Sequence, residues 1–236
     1  MIQSRIEAGG LAAIAVGDPA AALVVVVLHG RGMQAADLAP FAHSLGGDAW
    51  FVFPDAPLAL PPRGYSWWPV DAEMRLRENG ARDLHLLDPP GRIDARGLLA
   101  RFCAAVGQGR RLVLVGFSQG GMLAMDYVLH GGRADALALL SSSRIAFAEW
   151  TPLLSRLDGL PLLVAHGHDD DELAFAAGER LRDAALAGAA QVTWVPFGGG
   201  HEIPLVVWRA LRRFLRAMDV SHRDRPIAIA EGNDHA

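Results

Sequence analysis

The alternation of short, unbroken apolar runs with longer segments of helical periodicity constrains the fold of this chain more than any other feature. Residues 22–28 are all alanine, leucine or valine, which is typical of a strand buried on both faces. Similar runs occur at residues 50–53, 111–116, 136–140, 161–166 and 191–195, and residues 2–16 also have strand character. Helices are predicted over residues 35–45, 93–106, 119–129, 171–186 and 203–218. This alternation predicts an α/β fold, with a mostly parallel, doubly wound sheet flanked by helices.

The chain length bounds the domain organisation. With 236 residues, we expect a single α/β domain over residues 1–218, followed by a polar, loosely ordered tail over residues 219–236. Residues 55–92 form a long connection that is rich in Pro and Trp, with a polar stretch of helical character at 71–82. Connections of this length are uncommon in compact domains and often carry function. No long helical insertion follows residues 136–140, which predicts little or no cap domain.

Composition and charge exclude several classes of protein. All 22 basic residues are Arg, so chemistry that needs a lysine amine, such as a Schiff base or a Gly-Lys-Ser phosphate loop, is excluded. The one cysteine, Cys103, can form neither an internal disulfide nor a cysteine-based metal cage, and it fits a cytoplasmic location. A net charge of −4 provides no general attraction to nucleic acid. Because the N-terminus is too polar for a signal peptide and the apolar runs are too short to cross a bilayer, we expect no stable membrane anchoring.

A candidate nucleophile lies where one predicted strand passes into a helix. Residues 116–120, GFSQG, match the pattern Gly-x-Ser-x-Gly directly after the apolar run RLVLV, and the helical segment begins at Gln119. This setting is typical of a nucleophile elbow, in which a strained backbone presents Ser118 above the sheet. Small residues at both ends of the motif allow the strand and the helix to approach closely. The backbone N–H of Gln119 is then placed to stabilise an oxyanion.

A serine nucleophile needs a histidine base and a carboxylate that orients it. Both follow Ser118 in the order expected for such a fold, since HGHDDD ends one predicted strand and GGGH follows the next. His201 is the strongest candidate base, because the three glycines before it leave its loop free to place the ring. Spacing alone leaves the orienting acid open among residues 169–171, which are all Asp.

Six motifs together carry a resemblance to a known family. The chain resembles the phospholipase/carboxylesterase family of α/β-hydrolases, which includes the acyl-protein thioesterases, in LHGRG (28–32), FPDAP (53–57), SWW (66–68), GFSQGG (116–121), HGHDDDEL (166–173) and GHEIP (200–204). The motifs occur in the family's order and span most of residues 22–217. The resemblance implies an α/β-hydrolase fold and a triad of Ser118, His201 and Asp170. It also implies an oxyanion hole made by the backbone N–H groups of Arg31 and Gln119.

The activity implied by the resemblance is hydrolysis of a small-molecule carboxylic ester, thioester or lysophospholipid through an acyl-enzyme, with no metal or organic cofactor. Tyr65, Trp67 and Trp68 are expected either to line an apolar substrate pocket or to pack the long connection onto the body. Without a cap domain, we expect an open site that suits short to medium acyl chains. Arg31 stands where the family often has an aliphatic residue and favours a polar or anionic group on the substrate. Whether the chain forms a homodimer is left open.

Two other classes of function are kept as alternatives. His166, His168 and Asp170 lie at a spacing similar to the first ligand cluster of metal-dependent hydrolases, and two such histidines can bind zinc. Outside that hypothesis, His166 is expected to support the glycine turn that follows it. The third class is a non-catalytic binder on the same fold, since a fold does not fix a function. Sensitivity to a chelator would favour the metal hypothesis, and an unchanged function after Ser118→Ala would favour the binder.

Overall fold

The computed structural model describes residues 2–70 and 82–220. The central sheet has eight strands, β1 (Gln3–Ala8), β2 (Leu11–Val16), β3 (Leu23–Leu28), β4 (Ala49–Pro54), β7 (Arg111–Phe117), β8 (Ala136–Leu140), β9 (Pro161–Gly167) and β10 (Gln191–Phe197). Their order across the sheet is β1-β2-β4-β3-β7-β8-β9-β10. A separate small hairpin joins β5 (Leu58–Ala59) to β6 (Tyr65–Ser66). The β1–β2 and β2–β4 pairs are antiparallel, and all other pairs in the central sheet are parallel.

Helices cover both faces of the sheet. They are α1 (Ala35–Leu38), α2 (Ala42–Leu45), α3 (Arg92–Val106), α4 (Gln119–Leu129), α5 (Phe147–Trp150), α6 (Phe175–Ala187) and α7 (Leu205–Val220), with 3-10 turns at Ala39–Phe41 and Thr151–Leu157. Successive side chains of β3 point to opposite faces of the sheet. Val24 and Val26 belong to the hydrophobic core that includes residues of α3 and α4, and Val25 and Val27 belong to the core that includes residues of α1, α2 and α7. Because both faces are covered, the central strands are continuous apolar runs rather than alternating ones.

The predicted mostly parallel, doubly wound sheet is confirmed, and the differences from the sequence expectations have local causes. Residues 2–16 form a hairpin rather than one strand, since Gly9 and Gly10 turn the chain with φ of +56° and +89°. The predicted helix over residues 35–45 is interrupted by a 3-10 turn that contains Pro40, which lacks the N–H that a continuous helix requires. The helix predicted from residue 171 begins only at residue 175, because a side-chain-capped turn occupies residues 170–173.

The described part of the chain includes no helix that is long and apolar enough to cross a membrane. Between β8 and β9 there is only the short α5 and one 3-10 turn, which agrees with the expectation of little or no cap domain. Neither element was predicted from the sequence. Helix α7 includes residues 219–220 of the predicted tail. Residues 221–236 of that tail, and residues 71–81 of the stretch with helical character, lie outside the described residues.

Candidate active site

The sharp turn between β7 and α4 presents Ser118. Its backbone has φ 52° and ψ −119°, a left-handed conformation that is strained for any residue with a Cβ. The Ser118 N–H donates to the carbonyl of Leu140 on the neighbouring strand at 2.9 Å. The strain is therefore held by the sheet, and the hydroxyl lies at the carboxyl edge of the parallel strands, where sites of such folds collect.

Two glycines leave no room for a side chain at this turn. A Cβ on Gly116 would lie 2.4 Å from the carbonyl oxygen of Gly120, and a Cβ on Gly120 would lie 2.5 Å from the carbonyl oxygen of Leu28. These contacts involve backbone atoms, which cannot move aside as a flexible side chain can. The close approach of β7, α4 and the end of β3 therefore requires glycine at both positions.

A continuous chain of hydrogen bonds links three of the predicted site residues. The Oγ of Ser118 lies 2.9 Å from Nε2 of His201, and Nδ1 of His201 lies 2.8 Å from Oδ2 of Asp170. The imidazole therefore donates from Nδ1 to the carboxylate and accepts the serine proton at Nε2. The ring centroids of Phe117 and His201 are 5.0 Å apart, and this contact limits the positions that the imidazole can take.

Asp170 is the residue of the Asp169–Asp171 run that faces His201. It is 4% exposed, whereas its two neighbours are exposed to solvent. Its Oδ1 accepts the backbone N–H groups of Glu172 at 3.0 Å and Leu173 at 2.8 Å. Burial by itself would raise the pKa of Asp170, but the hydrogen bonds from His201 and Leu173 hold that pKa below its ordinary value. The carboxylate is therefore ionised at neutral pH.

The two predicted oxyanion donors lie at the ends of adjacent strands. Gln119 is the first residue of α4, and none of the described residues accepts its backbone N–H. Arg31 is in a turn after β3 that is closed by the Met33 N–H donating to the carbonyl of Gly30 at 3.1 Å. The backbone of Tyr65 fixes this turn, since its carbonyl accepts from Gly32 and its N–H donates to Met33, both at 2.8 Å.

The aromatic segment 65–68 ties the turn after β3 to the elbow, and it lines the site only at Trp68. Trp67 is 1% exposed, and its indole N–H donates to the carbonyl of His29 at 2.9 Å. The side-chain Oε1 of Gln119 accepts the Trp67 N–H at 3.0 Å. Tyr65 lines a different cavity, beside β1 and β2. Of the two roles considered for these residues, packing therefore describes Trp67, and pocket lining beside Ser118 describes only Trp68.

A cavity of about 690 Å³ opens over Ser118 and His201. Its described lining is mainly apolar and includes Trp68, Val70, Leu84, Leu87, Met122 and Leu173. Its charged lining residues are of both signs and comprise Arg31, Arg82, Asp83, Asp88 and Glu172. A cavity of this size and character suits an organic substrate with an apolar portion.

The serine run after β8 was missed by the sequence analysis. Oγ of Ser141 donates to the carbonyl of Glu202 at 3.3 Å, and Oγ of Ser142 donates to the carbonyl of Ser118 at 3.1 Å. Ser143 accepts the N–H of Leu84 in the cavity wall at 3.2 Å. A polar run directly after a buried strand, next to the strand of the elbow, was the signal that could have revealed these contacts.

The geometry does not favour the metal hypothesis. The buried Nε2 of His166 lies 2.9 Å from the carbonyl of Leu173, while the ring of His168 packs against Phe175 at 4.1 Å. Within residues 2–70 and 82–220, no group of three or more His, Cys, Asp or Glu side chains is arranged to hold a metal ion. Among these residues, His166 and His168 therefore do not form a ligand cluster with a third such side chain.

The family model of phospholipases and carboxylesterases matches residues 100–219, half of the chain. This range includes the elbow, the loop after β9 that carries Asp170 (residues 168–173, the acid loop) and the loop after β10 that carries His201 (residues 198–202, the histidine loop). The chain belongs to this family. The α/β-hydrolase fold and the assignment to the ester-hydrolysing enzymes are therefore confirmed. A search of curated proteins found no match in sequence.

Solved structures support the same fold. Esterase PE8 is 24% identical, with a TM-score of 0.71, over 92% of this chain and 99% of that one. Acyl-protein thioesterase 2 from Zea mays is 20% identical, with a TM-score of 0.71, over 87% and 97% of the two chains. A carboxylesterase from Mesorhizobium loti is 17% identical, with a TM-score of 0.73, over 91% and 98%. At these identities, the likeness establishes the α/β-hydrolase fold alone.

Proposed function

We propose that this family member hydrolyses carboxylic esters through a covalent acyl-enzyme on Ser118. The observation that carries the proposal is the chain of hydrogen bonds from Ser118 through His201 to Asp170, with atom separations of 2.9 and 2.8 Å. A serine, a histidine and a buried carboxylate in this order form the arrangement that activates a hydroxyl as a nucleophile.

In the first step, Nε2 of His201 accepts the proton of Ser118 as Oγ attacks the carbonyl carbon of the ester. The new C–O bond converts the carbonyl oxygen into an oxyanion. Asp170 remains ionised and stabilises the imidazolium through its hydrogen bond to Nδ1. Its two backbone donors, Glu172 and Leu173, leave Oδ2 facing the ring.

Backbone N–H groups of Gln119 and Arg31 stabilise the oxyanion in this proposal. The support is their place at the ends of the adjacent strands β7 and β3, together with the unpaired N–H of Gln119 among the described residues. Loss of one oxyanion donor costs about 2.7–4 kcal/mol of transition-state stabilisation in a comparable serine enzyme. Both donors are main-chain groups, so the proposed oxyanion hole does not use the side chain of Arg31.

The tetrahedral intermediate collapses when the imidazolium of His201 protonates the leaving alcohol, which breaks the original ester bond. Water then takes the place of the alcohol. His201 removes a proton from this water, the acyl group passes to the resulting hydroxide oxygen, and Ser118 recovers its proton. These steps use only side chains of this chain, backbone donors and water.

The cavity supports a substrate with a short to medium acyl chain. Its apolar lining of Trp68, Met122 and Leu173 suits an aliphatic group, and its volume of about 690 Å³ is within the range of ordinary ligand pockets. A thioester is a further substrate class, since one structural relative is named as an acyl-protein thioesterase. In a series of p-nitrophenyl esters, kcat/KM should be highest for short to medium chains. A steady rise to palmitoyl would overturn this assignment.

A fluorophosphonate tests the nucleophile directly. Wild type, treated in the presence of EDTA, should gain the mass of one adduct, and Ser118→Ala should gain none. Wild-type protein that is folded but carries no adduct would overturn the proposal. A cytoplasmic location remains a prediction that cell fractionation can test, and size-exclusion chromatography can decide between a monomer and a homodimer.

A further inference from the structure

A buried histidine beside the acid loop is not used in the proposed steps. His166 is the penultimate residue of β9 and is 0% exposed. Its ring packs edge-on against Phe175 and fills the space beside Gly178, where a Cβ would lie 2.5 Å from the ring atoms Cγ and Nδ1. Glycine in the middle of a helix is unfavourable, so α6 gives up stability to accommodate this imidazole.

The contacts of the ring define where its proton lies. Nε2 of His166 lies 2.9 Å from the carbonyl oxygen of Leu173 and 3.4 Å from Oδ2 of Asp170. Both atoms are acceptors, so Nε2 carries the hydrogen. Nδ1 is buried and has no hydrogen-bond partner among the described residues, so a proton there would be an unsatisfied donor. The ring is therefore neutral and has its hydrogen on Nε2.

Burial lowers the pKa of His166, and His201 lowers it further, while the carbonyl of Leu173 and the carboxylate of Asp170 raise it in part. The titratable groups that face the ring come from two loops, the acid loop with Asp170 and the histidine loop with His201. On α6 the ring meets Phe175 and Gly178, which carry no charge.

We propose that His166 is a positioning residue for the acid of the triad, acting as a neutral donor that holds both ends of the turn at residues 170–173. At one end its Nε2–H approaches the Asp170 carboxylate, and at the other it is bonded to the carbonyl of Leu173. The N–H of Leu173 in turn donates to Oδ1 of Asp170 at 2.8 Å. His166 thereby directs Oδ2 toward His201. The inference rests on the proposed function.

The first test compares two amide side chains of different reach. In His166→Gln the amide nitrogen can occupy the place of Nε2, whereas in His166→Asn it reaches only the place of Nδ1. The glutamine variant should keep kcat within about threefold of wild type. The asparagine variant should lose about tenfold to a hundredfold in kcat at unchanged KM, because the carbonyl and the carboxylate lose their donor. His168→Asn, two residues away, is the matched control and should keep the wild-type kcat.

The measurement is kcat per active site, with sites counted by end-point fluorophosphonate labelling. A merely structural role predicts instead that both amide variants lose stability while each remaining site turns over at the wild-type rate, and that result would overturn the inference alone. A wild-type enzyme that hydrolyses no ester would overturn the proposed function and the inference together.

A second measurement uses the wild-type protein alone, so it does not depend on whether a variant folds. In ¹⁵N-histidine-labelled wild type, the His166 ring should show the neutral tautomer with hydrogen on Nε2 throughout the pH range in which the enzyme is active. A proton on Nδ1, or a charged ring in that range, would overturn the inference.

Discussion

The two halves of the candidate active site are held in different ways. In the nucleophile half, residues 28–33 and 116–121, main-chain atoms approach one another closely, with Ser118 strained at φ 52° and Gly120 pressed against the end of β3. The acid–base half, residues 166–173 and 197–202, is fixed mainly by hydrogen bonds to side chains. Asp170 accepts two backbone N–H groups there, and Ser141 holds the histidine loop through the carbonyl of Glu202.

The two halves should therefore respond to different kinds of substitution. Where atoms are already in contact, adding one methyl group damages the fold. Where a polar group is held by hydrogen bonds, removing one donor or acceptor damages the alignment of the triad and leaves most of the packing intact. One close backbone approach does occur in the acid–base half, at Gly167, where a Cβ would lie 2.4 Å from the carbonyl oxygen of Gly199.

The largest effect is expected from Asp170→Asn. The amide keeps the shape of the side chain but removes the charge that stabilises the imidazolium, so kcat should fall by about 10⁴-fold. Asp169→Asn is the matched control, because Asp169 is the exposed neighbour and should leave kcat unchanged. Steady-state kinetics on one ester compare kcat in the two variants and in wild type. Equal losses in the two variants would show that the acid had been assigned wrongly.

Gly120→Ala should produce the largest loss of folding stability. Its Cβ would meet the carbonyl oxygens of Leu28 at 2.5 Å and His29 at 2.7 Å, and the overpacking should lower the free energy of unfolding by about 3 kcal/mol. Gly198→Ala, in the histidine loop, has nothing within 4 Å of the new Cβ and should change that free energy by less than about 0.5 kcal/mol. Urea unfolding compares the two variants. A comparable loss in both would contradict the division into halves.

Ser141 allows strain and hydrogen bonding to be separated at one position. It has φ 42°, and its Oγ donates to the carbonyl of Glu202. Ser141→Ala and Ser141→Gly both remove the hydroxyl, so both should lower kcat by about three- to tenfold. Only glycine relieves the strained backbone, so Ser141→Gly should have the higher melting temperature of the two. Unequal kcat values in the two variants would show that the hydroxyl does not act through this hydrogen bond.

The smallest effect is on the pH dependence of folding stability. Each half of the site contains one buried histidine with a lowered pKa, His29 in the nucleophile half and His166 in the acid–base half. Burial is the main cause in both rings. The unfolded chain binds a proton near the ordinary pKa of 6.5, while the folded chain keeps each ring neutral, so stability should fall as the pH drops below that value. Each ring contributes a slope of at most about 1.4 kcal/mol per pH unit. In urea unfolding between pH 7.5 and 5.5, His166→Gln should reduce this slope by up to one proton's worth, and an unchanged slope would contradict a neutral His166.

The sequence could predict the features that local patterns determine, but not those that depend on residues distant in the chain. The strand β8 and the helix α4 match their predicted ranges, because an apolar run and a Gly-x-Ser-x-Gly turn determine their structure locally. The acid loop was located, but spacing left the choice of Asp open, since that choice depends on which carboxylate meets a histidine 31 residues away. The roles of Trp67 and of the serine run depend on partners from distant strands, which no local pattern reveals.

Trapping the acyl-enzyme decides whether Ser118 is the nucleophile. Wild type is mixed with excess p-nitrophenyl acetate, quenched in acid within the first turnovers, and digested for mass analysis of the peptide that contains Ser118. We expect a burst of about one p-nitrophenolate per enzyme, and an acetyl group on Ser118 that is absent from Ser118→Ala. Hydrolysis that proceeds without a burst and leaves Ser118 unmodified, or equal turnover by Ser118→Ala, would contradict the account.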